Sequence, residues 1–299
     1  MSPTLITSRD PKGLHAVSLF EGAYNKSKLD DERAQRLNER GGEFKERMMT
    51  LIAELSVSNR YADEEVESGY GYLSGYKNPP KISDQIDILQ GWWPSLKNVD
   101  PALRWYKATA EKLQLPDWVE GPFVYIRPGF FSNAYGDELK EVLDIFSKAR
   151  DGAFVNYLEG KMGKELQQRE RTVQKVSQLY ERQGGGDIFI GFAQFGIRFP
   201  VRNGKHIVAS ARRAREKFDS GEYGVGSKDG FTMLLTNSSR LQHYDDLWID
   251  FVGDEFDYGD GRFFGAPCVV CYCGRVDFGA GGVSSAIPGY GAASAFLPQ

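Results

Sequence analysis

Three groups of residues have the types and spacing for chemistry, and all lie after residue 184. The first is an acidic run of Asp245, Asp246, Asp250, Asp254, Glu255, Asp257 and Asp260. A hard divalent cation wants several carboxylates converging on it. Asp250, Asp254 and Glu255 are therefore candidate ligands for a metal-dependent hydrolase acting on nucleic acid, with His243 the only nearby histidine. The run fits no calcium-loop pattern. In an extended strand Asp246, Trp248 and Asp250 share one face, and Leu247, Ile249 and Phe251 the other. A sheet with one solvated face has this pattern, and solvated carboxylates are the expectation.

The second group is Cys268, Cys271 and Cys273. They offer the C-x-x-C step of zinc sites, but a structural site needs four ligands and no second pair exists. The third is the basic stretch Arg198, Arg202, Lys205, Arg212, Arg213, Arg215 and Lys217, which can meet phosphate or be neutralised by the acids that follow. Between the second and third lies Gly221-Glu222-Tyr223-Gly224-Val225-Gly226-Ser227-Lys228. It lacks the GxxxxGK[ST] spacing and a leading strand, so a turn between two helices is expected there.

The elements that must position these groups change character along the chain. Phe44, Met48, Leu51, Ile52 and Leu55 recur at helical spacing, and Asp100-Pro101 opens a second helix. A third follows Asp137-Glu138 through Leu139, Val142, Leu143 and Phe146, and the charged stretch from Met162 to Arg182 reads as a solvated or linker helix. Phe123 to Ile126 is strand-like, and Tyr70 to Tyr76 is a tyrosine-rich loop. Gly184-Gly185-Gly186 is the clearest break. After it come a buried strand from Asp187 to Phe192, a helix capped by Ser210, and another capped by Asp229. Strands then follow at Asp246 to Phe251, Pro267 to Tyr272 and Arg275 to Phe278. This gives an α+β organisation: a mainly helical region over 1–184 and a second domain over 185–299.

Composition narrows the function classes. Lys plus Arg number 37 and Asp plus Glu 41, a net charge of -4, which is too balanced for a nucleic-acid coat or a polybasic anchor. No long apolar run or secretory leader is read, so a cytoplasmic location is the expectation. There are 34 glycines, concentrated toward the C-terminus. Residues 256–298 contain no Lys, Glu, Gln, Met or Trp. At the frequency those types have in the rest of the chain, such a window lacks them all on the order of once in 10⁵ draws.

The five missing types form a set in the genetic code. Free replacement of the adenines in AAC or AAT codons yields only codons ending in a pyrimidine. Those codons encode everything except Lys, Glu, Gln, Met and Trp. Such a signature belongs to adenine-directed mutagenesis by diversity-generating retroelements, although unmutated codons would leave Asn and this window has none. The C-terminal half also resembles an uncharacterised bacterial and archaeal group of variable proteins of these retroelements. The resemblance is carried by Ala193-Gln194-Phe195-Gly196, Arg212-Arg213-Ala214-Arg215, Asp245 to Asp250, Gly253-Asp254-Glu255-Phe256, Ala266-Pro267 and Phe296 to Gln299. It implies a C-type-lectin-like fold with a diversified surface near the C-terminus.

On this reading the protein is a non-enzymatic binding protein with a variable segment over about 256–295. Tyr258, Phe264, Tyr272 and Tyr290 are the expected anchors, and Asp257, Asp260, Arg262, Arg275, Asp277 and Ser284 the polar contacts. Cys268 and Cys273 are expected as variable surface positions, and Trp248, Ile249, Phe278 and Phe296 as framework. No cofactor or metal is expected. The expected partner is a protein or other macromolecule, and neither nucleic acid nor a membrane.

Overall fold

The structure is a computed structural model describing residues 7–56, 60–197 and 205–298. Arg198 and Arg202 of the basic stretch lie outside the described residues. The chain divides into two units, Met1–Ser58 and Asn59–Gln299. The first is helical: α1 (Pro11–Lys26), α2 (Asp31–Glu39) and α3 (Gly41–Ser56). The Asp30 carboxylate caps α2 by accepting from the Arg33 amide at 2.8 Å. The apolar spacing of 44–55 does produce a helix, yet Leu51, Ile52 and Leu55 on it are exposed.

The second unit mixes helices with sheets. In chain order it holds β1 (Glu65–Ser68), α4 (Ile82–Trp92), α5 (Asp100–Thr109), β2 (Gly121–Ile126), α6 (Tyr135–Ala149), β3 (Phe154–Asn156), β4 (Leu166–Gln168) and α7 (Glu170–Arg182). Then come β5 (Ile188–Gln194), β6 (His206–Ala209), α8 (Ala211–Glu216), β7 (Glu222–Gly224) and α9 (Ser227–Thr236). The chain continues through β8 (Trp248–Asp250), β9 (Asp254–Phe256), β10 (Gly265–Tyr272), β11 (Arg275–Gly282), β12 (Tyr290–Ala292) and β13 (Ser294–Phe296). One sheet has the order β2-β5-β13-β7. A second runs β12-β8-β10-β11-β3, with β9 and β4 attached beside β10, and β1 pairs with β6.

The core lies between the sheets and the helices packed on them. Every residue of β5 is buried, which explains its unbroken apolar run. Phe231 of α9 packs edge-on against Phe146 of α6 and Phe278 of β11, with centroids 4.9 and 5.0 Å apart. Gly230 lets α9 approach so closely, because a Cβ there would sit 2.1 Å from the Phe251 ring. The tyrosine-rich loop is also anchored. Tyr72 and Tyr76 donate their hydroxyls to the half-buried carboxylate of Glu120, and Arg240, fully buried, lies over the Tyr72 ring at 4.2 Å.

Several expectations are corrected. The boundary at 184/185 falls inside the second unit. β2 pairs with β5, β3 with β11 and β4 with β9, so strands from before the glycines complete sheets formed after them. Gly184, Gly185 and Gly186 all take positive φ and only turn α7 into β5. The charged stretch from Met162 to Arg182 splits into β4 and α7. Ser210 does cap α8, accepting from the Arg213 amide at 3.2 Å. Asp229 caps nothing: α9 begins two residues earlier, after Gly226, and buries Asp229 within it.

No helix among the described residues is long and apolar enough to cross a membrane.

Candidate functional site

The alternation expected of strands 246–251 is present, since Leu247, Ile249 and Phe251 all enter the core. The two aspartates of the opposite face are not solvated. Asp246 is buried and accepts from the Ser74 amide, the Ser74 hydroxyl and the amides of Gln242 and His243. Asp250 is also buried, and burial lifts its pKa to about 7 against the pull of Arg215.

Nor do Asp250, Asp254 and Glu255 converge as a metal site. Asp254 accepts from the Ser227 amide and the Tyr135 hydroxyl, both at 2.7 Å, and so supplies the acceptor at the N-terminus of α9. Glu255, next on β9, turns instead to Arg169 and Gln167. No group of three potential ligands exists among the described residues. The expected turn at 221–228 is partly strand, β7, and its helix end is filled by Asp254.

The cysteines separate for a geometric reason. Residues three apart on a strand face opposite ways. Cys271 packs in the core, Cys268 points to the other face of β10, and Cys273 is exposed in the turn. Cys268 is only 7% exposed, which corrects its expected place as a variable surface position. It stands opposite Asp250 of β8 in register, and burial, then the Asp250 charge, pushes its thiol well up. Thiolate chemistry at neutral pH is thereby disfavoured.

The outer face of β8, β10, β11 and β12 gathers part of the expected set. Tyr272 pairs with Arg275 across the hairpin, and Tyr290 with Trp248 across β12 and β8. Their rings form a strip: Tyr272 meets Tyr244 at 5.8 Å, Tyr244 meets Trp248 at 5.9 Å, and Trp248 meets Tyr290 at 5.0 Å. Tyr244 lies outside the expected set, and Trp248, expected as framework, belongs to the strip. Their aromatic character was visible in the sequence, but their adjacency comes from strand register. The Trp248 indole N–H is buried without a hydrogen-bond partner. Tyr290 is half-buried, and its hydroxyl is raised by burial and by Cys268 and Asp250 beside it. Asp250, Tyr290, Ala266, Gly281, Gly282 and Ser285 border a small hollow of about 70 Å³.

A second cluster stands at the other end of β10, roughly 23 Å away along the strand. Tyr258 and Phe264 are 58% and 55% exposed, Tyr272 at the first cluster 52%. Arg262 lies over the Phe264 ring at 5.1 Å and pairs with Asp260, and the exposed Ser284 follows Val283, whose amide donates to the Phe264 carbonyl. Asp257 is a correction. It accepts from the amides of Gly259, Asp260, Gly261 and Arg262, and so holds the loop's shape instead of facing outward. Asp277 is likewise mostly covered, tied to the Arg275 guanidinium at 2.6 Å.

The expected framework residues Ile249 and Phe278 are in the core, and Phe296 packs edge-on against Trp118. Comparison with known proteins finds no matching family model, no similar curated protein and no similar solved structure.

Proposed function

We propose that the protein is a non-enzymatic binding protein whose contact surface over about 256–295 is diversified by adenine-directed mutagenesis from a diversity-generating retroelement. The observation that carries this reading is a division of labour within the window. Val269, Cys271, Val276 and Phe278 pack inward on β10 and β11, whereas Tyr258, Arg262, Phe264, Tyr272, Cys273 and Ser284 project to solvent. A surface that must vary without unfolding needs that separation. Tyr adds rigid amphipathic area at low entropic cost, and Gly and Ser add adaptable hydrogen bonding.

A C-type-lectin-like arrangement of 185–299 belongs to the same proposal. It is supported by the order in which β5 and β6 precede α8, β7 comes between α8 and α9, β8 to β13 follow, and β13 returns to pair with β5. The ligand is a protein or another macromolecule that meets one or both exposed clusters, with no cofactor taking part.

Sequencing this gene across its source population tests the proposal. Differences should fall at template-adenine positions of outward-facing codons in 256–298, with the codons of Val269 and Phe278 constant. Substitutions spread evenly along the gene would falsify it.

A further inference from the structure

Helix α8 stands between two hollows. Ala211 lines the small one beside Asp250, and Arg212 and Arg215 line a cleft of about 320 Å³. This cleft is independent of the variable window, to which it owes no lining residue. Five arginines line it, Arg60, Arg169, Arg171, Arg212 and Arg215, with Glu216 the one acidic residue among the lining residues.

Arg169 pairs with the Glu255 carboxylate and Arg212 with that of Glu64. Arg171 and Arg215 are held differently. Arg171 donates to the main-chain carbonyls of Glu222, at 2.8 Å, and Asp219. Arg215 donates to the carbonyls of Val252 and Asp254 at 2.9 and 2.6 Å. Carbonyls fix the direction of a guanidinium fork without cancelling its charge. Aromatic rings add to the fixing: Tyr61 lies under Arg212 at 4.1 Å and Arg60 at 4.8 Å, and Phe218 under Arg171 at 5.8 Å.

Oriented cations this close repel one another. Burial and the neighbouring Arg169 charge bring Arg215 down to about 10 against the pull of Glu255, Asp254 and Asp250, and burial also lowers Arg171 despite the acids Glu222 and Asp219 near it. An occupying anion relieves that repulsion, and a planar fork matches the oxygens of a phosphate group two at a time. The cleft is concave and at the small end of the range for small-molecule sites. Its rings are already covered by guanidiniums, so no platform is left on which the bases of a single strand could stack.

We infer that this cleft binds a small phosphorylated molecule, with its diphosphate or dianionic phosphate group received by Arg171 and Arg215 and flanked by Arg169 and Arg212. The full chain is titrated calorimetrically with inorganic pyrophosphate at low ionic strength. Saturable binding at one site is expected, weakening as salt is added. Arg171→Gln should weaken it roughly tenfold, the loss of one charge-assisted interaction. Arg60→Gln, which leaves the carbonyl contacts of Arg171 and Arg215 in place, should weaken it several-fold. Lys140→Gln, exposed on α6, should bind as the parent does.

Absence of saturable binding at millimolar pyrophosphate overturns the inference, as does unchanged affinity in both arginine variants. A single-stranded RNA oligonucleotide that displaces pyrophosphate and binds more tightly overturns it too, in favour of a nucleic-acid surface.

Discussion

Asp229, Asp250 and Asp254 carry carboxyls that burial raises to about 6, 7 and 7 respectively. The folded chain therefore holds protons that the unfolded chain releases between about pH 4 and pH 7. By linkage, stability falls as pH rises through that window, the reverse of a carboxylate held ionised by a salt bridge. Urea unfolding should give a lower stability near pH 8 than near pH 5. Asp250→Asn should flatten part of that slope, gaining on the parent by at least about 1 kcal/mol above pH 7. Parallel pH curves for parent and variant would remove Asp250 from the account. Residue type was legible here and residue role was not. Asp257 looks like any surface acid until the loop curls four amides around it, and Asp246 looks solvated until Ser74, distant in sequence, closes over it.

At the scale of elements, the alternation of β8, β10 and β11 was readable because a strand's side chains have a period of two, whatever they pack against. What lies over each face was not readable. Cys268 is on the outward face, but Asp250 of β8 stands beside it and Tyr290 of β12 helps cover it, and neither pairing has a local signature. β4 was missed for the same reason: its three residues are a strand only because β9 pairs with them. The division within the hairpin has a measurable consequence. Phe278→Ala should cost about 3–5 kcal/mol. Phe264→Ser and Tyr272→Ser should each stay within about 0.5 kcal/mol. Thermal unfolding of the three variants checks this, and a large loss for Tyr272→Ser would make the aromatic strip structural instead of a contact surface.

At the scale of the molecule, composition and the glycine break suggested a domain starting at 185, because breaks in periodicity are local signals and sheet partners are not. β5 without β2, β11 without β3 and β9 without β4 would each expose an edge. A fragment of residues 59–299 should fold on its own and give dispersed amide NMR resonances. A fragment of 185–299 should aggregate or remain disordered. A well-dispersed spectrum from the shorter piece would restore the boundary at the glycines.

The place of β13 between β5 and β7 also sets an order in time. Both neighbours leave the ribosome before the strand that joins them. At typical synthesis speeds the interval between β7 and β13 lasts several seconds. Through that interval the inner edges of β5 and β7 are open to any other extended chain, so a nascent copy is most vulnerable to mispairing just before β13 arrives.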